Sequence, residues 1–461
     1  MDFPFHADSA AKEKLADLAR LLDASLTSTQ YIDGMAASRL LGTVLGAYRD
    51  GTGDHYTGND PFLAKAAQDS QLFGLSLAAA FDLVTNAEYL HGRVVNSRWI
   101  YCHREGSSPR VYYSFLKQCP RCCLDKGLEG RLNGAQHKPT SHHIGEITTV
   151  ATALLLQLVA AANEEPFQIA TITKQSHDVD AIGYRDDLIV LFEIKASPMV
   201  TFPLVAVLPE PLLTDRDGEP AEYPQHALVD MNLAEVDLAL YVPHRDWLVP
   251  LGKKRGGSWP YDELSSFFLE PGNFLEFLSA WIELYEAYRI PKTQRRDRNL
   301  RLAYLVNGWG DEIDSNKTKP GLGRTDDIKK GTYQLLKFSS YYRDDAAATK
   351  VRGALVANLD PLFLRADYVD KLADVRWARS DQFIPSGDNF LIRRESLRHL
   401  YDAILTFNQP VINDQHIAQI FDLGQVARAL ASGRLDKFLR EWCSSGPDNV
   451  AEQVAQEGRL F

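Results

Sequence analysis

Apolar residues recur at helical spacing early in the chain, at Leu15, Leu18, Leu21 and Leu22, and again from Leu72 to Leu83. That three-to-four-residue period is the mark of one buried helix face. Between 98 and 140 the period is lost. Short aromatic pieces alternate there with turn formers such as Gly106-Ser107-Ser108-Pro109, and a segment so short of apolar mass needs some other stabiliser. A strong helix is expected just after Gly145-Glu146, where Ile147, Val150, Ala151, Leu154, Leu155 and Leu158 trace a broad buried face. Three strand-like segments follow: Phe167 to Thr173, Asp178 to Tyr184, and Leu188 to Ile194. The connection Arg185-Asp186-Asp187 is short enough to make the last two a hairpin. Asp326 to Phe338 reads as a further helix with Thr325 as its cap and two acids in its first turn, and a β run follows from Val351 to Leu359.

The order helix–strand–strand–strand–helix–strand is an α/β arrangement with insertions. The pattern predicts a helical N-terminal region (1–97), a small module (98–143), an α/β core (144–360) interrupted by an insertion (196–324), and a helical C-terminal region (361–461) that includes Leu397, Leu400 and Ile404, then Leu435, Phe438 and Leu439. The insertion has its own strands, Leu204 to Leu208 and Val236 to Val242, and an aromatic helical part from Tyr261 to Tyr288.

Composition narrows the class. Hydrophobic residues make up 45% of the 461 and charged residues 24%, the balance of a folded protein. The start, Met1-Asp2-Phe3-Pro4, lacks the basic and apolar segments of a secretory signal, and the longest apolar stretch, Val150 to Ala161, is too short to span a bilayer. A cytoplasmic protein with no membrane association is expected. Five cysteines are too few for a disulfide scaffold, yet four of them fall between 102 and 123. The net charge of −11 argues against a generally nucleic-acid-coating protein but leaves room for local basic segments.

The sharpest chemistry lies in His177-Asp178-Val179-Asp180-Ala181-Ile182 and Leu191-Phe192-Glu193-Ile194-Lys195. Strand side chains alternate faces, so Glu193 and Lys195 point the same way, and Asp180 on the partner strand can approach Glu193. Two carboxylates at the end of apolar strands are costly to desolvate without a counter-ion. Mg²⁺ would supply one through oxygen ligands, and the Lys195 ammonium could orient a water or stabilise phosphorane-like charge. That combination suits phosphodiester hydrolysis. Asp178, on the same face as Asp180, is the runner-up ligand. The plain alternative is a surface hairpin with ordinary charges.

Cys119-Pro120-Arg121-Cys122 has the C-x2-C spacing of a zinc knuckle. Cys102 is the expected third ligand and His137 the fourth, with His103, Cys123, His142 and His143 as rivals. Redox chemistry and buried inert thiols are the competing readings. Three basic stretches interrupt the acidic chain: Lys253-Lys254-Arg255, the run from Lys292 to Arg301 with Arg295, Arg296 and Arg298, and Lys317 with Lys319. Each could be a solvated face; together they point to phosphate contacts on DNA.

Asp180…Glu193-Ile194-Lys195 resembles the D…(D/E)xK signature of PD-(D/E)XK nucleases, with Val179 where proline is frequent. The resemblance implies that family's mixed sheet flanked by helices, catalytic Mg²⁺ held by Asp180 and Glu193, and Lys195 at the reacting phosphate. An upstream helix in the family often adds a Glu, a position matched by Glu146, which otherwise is a plain first-turn acid. The second core helix would be Asp326 to Phe338, with Lys330, Gln334 and Lys337 as one polar stripe. Glu193 to Pro198 and Gly323 to Lys330 look like stretches of ApaLI-like type II restriction endonucleases. That resemblance implies double-stranded DNA with a short palindromic site, a homodimer, and a companion methyltransferase. The alternatives are a repair, recombination or antiphage nuclease on the same core, and a zinc-containing DNA-binding protein without catalysis.

Overall fold

The computed structural model describes residues 34–52, 70–104, 109–113, 119–126, 139–172, 179–185, 187–200, 202–207, 223–303, 305–306, 319–343 and 350–457. The helical stretch expected around Leu15 to Leu22 lies outside them, as do Asp178, His137 and Lys317. The described chain begins with helices α1 (Gly34–Asp50) and α2 (Ser70–Arg93), then strands β1 (Trp99–Cys102) and β2 (Arg110–Tyr113) and the short helix α3 (Pro120–Lys126). Helix α4 (Ser141–Ala162) starts earlier than its apolar period suggests, because the Thr140 hydroxyl accepts from the His143 N–H and caps it. Then come β3 (Gln168–Thr171), β4 (Ala181–Arg185) and β5 (Leu188–Ile194). The insertion contributes β6 (Leu204–Val207), β7 (Leu228–Val229), β8 (Asp237–Val242), β9 (Trp247–Gly252), α5 (Tyr261–Phe268), α6 (Pro271–Arg289) and α7 (Asp297–Ala303). Helix α8 (Thr325–Tyr341) and strand β10 (Lys350–Ala357) complete the expected core, with Arg324 rather than Thr325 at the cap position.

One mixed sheet organises that core. β3, β4 and β5 run antiparallel to their neighbours, and β10 then pairs parallel to β5. All seven residues of β5 are buried because both faces of the sheet are covered. Leu188, Val190, Phe192 and Ile194 join the core that includes α4, whereas Ile189 and Leu191 pack with Ile328, Leu335 and Phe338 of α8. A methyl group on Gly331 would sit 2.5 Å from Leu355 Cδ1, so the glycine lets α8 lie close on β10. Helix α4 is long and apolar enough to cross a membrane, but 78% of its most apolar window is buried inside the protein, as suits a core helix.

Two readings of the organisation change. First, the region after 361 carries strands as well as helices. It holds the small strands β11 (Arg376–Trp377), β12 (Phe383–Ser386), β13 (Asn389–Ile392) and β14 (Arg398–His399). Then β15 (Ala403–Thr406) joins the core sheet parallel to β10, with β16 (Val411–Ile412) at its edge, before the closing helices α9 (Gln415–Ile420), α10 (Leu423–Ala431) and α11 (Asp436–Glu457). Ile404, read as a helix position, belongs to a strand buried at every residue, a case in which periodicity carries no signal. Second, the cysteine segment and the insertion are not separate units. They build one antiparallel sheet in the order β7-β1-β2-β6-β8-β9. The module expected to lack a core shares that of strands more than ninety residues later.

The joint between the parts is Asp82, fully buried on α2. Its carboxylate accepts from Met199 N (3.0 Å), Val200 N (3.0 Å) and Trp281 Nε1 (2.8 Å). Burial pushes its pKa up to about 7 despite these three donors. It thus ties the N-terminal helices and α6 to the chain just beyond Lys195. Asp82→Ala strands three buried N–H groups and should cost about 3–5 kcal/mol of stability, read from the midpoint of urea unfolding.

Candidate active site and metal centre

The short turn between β4 and β5 sets their register, Ala181 opposite Phe192 and Arg185 opposite Leu188. One step further places Asp180 opposite Glu193. Asp180 N donates to Phe192 O at 3.0 Å, and Asp180 Oδ2 accepts from Ile194 N at 2.7 Å, so the side chain closes the open end of the ladder. Ile182, two residues after Asp180, faces the α8 side, as do Ile189 and Leu191, four and two residues before Glu193. By alternation Asp180, Glu193 and Lys195 share that side. Lys195 Nζ contacts Glu193 Oε1 directly and lies 3.9 Å from Asp180 Oδ2. The Glu193 side chain is only 7% exposed.

The electrostatics follow from burial and crowding. Desolvation raises the pKa of Asp180, opposed by the Lys195 charge and the Ile194 N–H. Burial alone would lower the pKa of Lys195, but Asp180, Glu193 and Asp327 together hold it above the ordinary lysine value. Lys195 is therefore an ammonium at neutral pH. Asp327, in the first turn of α8, is a third acid whose field reaches Lys195, and burial raises its pKa as well. Its place in a helix first turn had suggested only a favourable dipole contact. Glu146 is placed differently: it pairs with His142 Nε2 at 3.1 Å on α4, the helix whose core lies across the sheet from α8. The structure does not join it to the other three. The donor set of Asp180 and Glu193, two carboxylates beside one ammonium, has the oxygen ligands that a hard divalent cation takes.

A second constellation lies on the outer face of the antiparallel sheet. Donor atoms of Cys102, Cys119, Cys122 and His226 all fall within 4.8 Å of one another. Cys102 ends β1, and Cys119 and Cys122 sit at the start of α3, where Cys123 N bonds back to Cys119 O at 2.9 Å. Three of the four expected ligands are thus brought together. The fourth place is taken by His226, from the insertion, whose Nε2 lies 3.2 Å from Cys122 Sγ. Of the rivals, His142 pairs with Glu146, His143 bonds to Thr140, and His103 uses its backbone N–H on Gln225 Oε1.

His226 is the third residue of a turn closed by Ala227 N to Pro224 O and has φ 67°, where glycine is favoured. Holding a histidine there costs on the order of 1 kcal/mol, which a ligand role would offset. Its N–H bonds to Tyr101 O at 2.9 Å, so the turn is strapped beside Cys102. Gln225 Nε2 adds contacts to Cys102 Sγ (3.4 Å) and Cys122 Sγ (3.7 Å). Hydrogen bonds from Cys102 and Cys119, with help from His226, hold the Cys122 thiol far below its usual pKa, while Cys119 is pushed up. One thiolate is already favoured, and the Cys3His set can hold a metal such as zinc.

Comparison with protein-family models, curated proteins and solved structures gave no match. What bears on function is therefore these two sites and the placement of the basic residues.

Those residues divide. Arg295 turns inward, its guanidinium donating to Ile290 O (2.9 Å) and Tyr288 O (3.3 Å). Lys254 Nζ caps Val94 O at 3.4 Å and lies over the Trp259 ring. Both are occupied in holding local structure, which sequence alone did not reveal. Arg255 and Arg296 are exposed, Lys253 is half-buried, and Arg298 is 78% exposed with Glu283 at 3.5 Å. On α8, Lys330 and Lys337 are exposed while Gln334 is half-buried.

Proposed function

We propose that this chain is a Mg²⁺-dependent nuclease of the PD-(D/E)XK kind, hydrolysing phosphodiester bonds of double-stranded DNA as a type II restriction endonuclease. The observation that carries the reading is the convergence of Asp180, Glu193 and Lys195 at one end of β4 and β5. The path α4–β3–β4–β5–α8–β10, an antiparallel meander followed by a parallel strand, supports it. Mg²⁺ bound there would polarise a phosphate oxygen and make its bound water acidic enough to attack. Asp180 and Glu193 would hold the ion, Glu193 exchanging its contact with Lys195 for one to the metal. Lys195, kept protonated by the surrounding acids, would donate to the phosphate and offset charge developing there. The Cys3His site, read as structural zinc, would fasten α3 to the sheet's outer face.

Specific recognition would use exposed cations of the insertion, with a homodimer placing one site on each strand and a methyltransferase protecting the host's own DNA. Digestion of plasmid DNA in Mg²⁺ separates the readings. Discrete fragments support a restriction enzyme, a smear supports a less specific nuclease of the same core, and duplex binding with no cleavage supports a DNA-binding protein. In the same assay series, Arg296→Glu with Arg298→Glu should weaken duplex binding and reduce the slope of log affinity against log salt by about 2. Arg295→Glu should instead lower thermal stability, because it breaks the inward contacts.

A further inference from the structure

Just beyond Lys195 the chain is gripped by one buried side chain from the neighbouring strand. The parallel pairing of β5 with β10 continues as far as Lys195 N, which donates to Val356 O at 2.8 Å. It cannot run on unchanged, because Pro198 has no N–H to give and restricts Ser197 to extended backbone. Asn358, the first residue after β10 and fully buried, takes over with its side chain. Its Oδ1 accepts from Ser197 N at 3.2 Å, and its Nδ2 donates to Ser197 O at 2.8 Å. Only an amide of this size offers a donor and an acceptor together; an ionised aspartate or a leucine would leave at least one Ser197 group unmet.

The same tail of β10 seats the entry to α8. Leu322 N donates to Leu359 O at 3.3 Å, and Gly321 N donates to Ser197 O at 3.4 Å. Gly321 has φ 54°, and a Cβ on it would lie 2.5 Å from Leu359 O, so glycine is needed for this approach. Further along the same segment stands Asp327, the acid on α8 whose charge reaches Lys195. Asn358 and Leu359 thus join the backbone leaving Lys195 to the backbone leading into Asp327.

The other two site residues are fixed without this junction. Glu193 lies within the β5–β10 ladder, opposite Leu355, and Asp180 is held by Ile194 N. Lys195 is the last residue the ladder bonds, and its next fixed points are Ser197 at Asn358 and then Met199 and Val200 at Asp82. We propose that Asn358 is a positioning residue for Lys195, clasping Ser197 so that the ammonium is kept at the reacting phosphate. The proposal rests on the nuclease reading of Lys195.

Single-turnover cleavage in saturating Mg²⁺ tests it. Asn358→Ala should lower the maximal rate about 10- to 100-fold, the cost of a slight misplacement at a reacting group. The DNA concentration giving half that rate should stay within about threefold of wild type, because the clasp acts on the step rather than on binding. Asn358→Thr, whose one hydroxyl replaces the amide, should fall in the same direction and serves if the alanine variant does not fold. The deciding comparison is in the Lys195→Ala background, where adding Asn358→Ala should change the residual rate by less than about threefold. Hydrogen exchange, which needs no activity, should show residues 194–200 and 320–328 losing protection together in Asn358→Ala while 188–193 keep theirs. A wild-type rate in Asn358→Ala, the same fold loss with and without Lys195, or unchanged exchange in either segment would overturn the proposal. An inactive wild type would instead overturn the nuclease reading beneath it.

Discussion

Asp180→Ala and Glu193→Ala are each expected to reduce Mg²⁺-dependent DNA cleavage at least about a thousandfold in a chain that still folds, Asp180→Ala also losing about 1–3 kcal/mol of stability because the Ile194 N–H is left without its acceptor. Glu193 is the stricter case. Its carboxylate is nearly buried against the Lys195 ammonium, so Glu193→Ala leaves that ammonium with Asp180 as its nearer acid, and Glu193→Gln, which keeps the shape, is the better-folded companion variant. Lys195→Ala should lose comparable activity with less effect on Mg²⁺ affinity, measured by calorimetry on the DNA-free protein. Because the acids hold Lys195 protonated, Lys195→Arg should retain measurable activity if its role is to supply positive charge, whereas a proton-accepting role would be lost. Full activity in any alanine variant would remove that residue from the mechanism.

The second large effect concerns the Cys3His site. Purified protein should contain about one zinc per chain, and Cys119→Ser or His226→Ala should lose it. His137→Ala should retain it, because His226 already fills the fourth position. Loss of the metal should be felt well beyond the cysteines. The outer face of the antiparallel sheet has a small apolar cluster, Ile100, Tyr112, Val205, Ala239 and Tyr241 around Cys102 and Cys119. Arg121 and Cys123 of α3 are buried and Leu124 packs on the main core, and a metal would add a further fastening. A chelated protein should show increased hydrogen exchange in α3 and around His226, with β5 and β10 protected as before. A metal-free preparation with unchanged exchange in both segments would reduce the cysteines to packed thiols.

What could be read from the chain follows the range of the interactions involved. Asp180, Glu193 and Lys195 were legible because strand alternation and one short turn determine their meeting, all within sixteen residues of sequence. Cys102, Cys119 and Cys122 were legible for a related reason, the tight C-x2-C turn. His226 was not: it stands 104 positions from Cys122, and only the pairing of β7 with β1 brings it there. The one local hint, a histidine after Pro224-Gln225, has no metal-ligand spacing. The strand Ala403–Thr406 was missed because a fully buried run has no alternation to betray it. Arg295 and Lys254 looked like ligands for phosphate because a sequence shows charge but not the carbonyl groups a guanidinium or ammonium will find after folding.

The most direct test of the central claim is a plasmid digest comparing the wild type with the Asp180→Asn/Glu193→Gln double variant, each purified identically and assayed in Mg²⁺ and in EDTA. The account predicts fragments from the wild type in Mg²⁺ alone and intact plasmid in the other three reactions. Intact plasmid in all four, or the same digestion by both proteins, would contradict it.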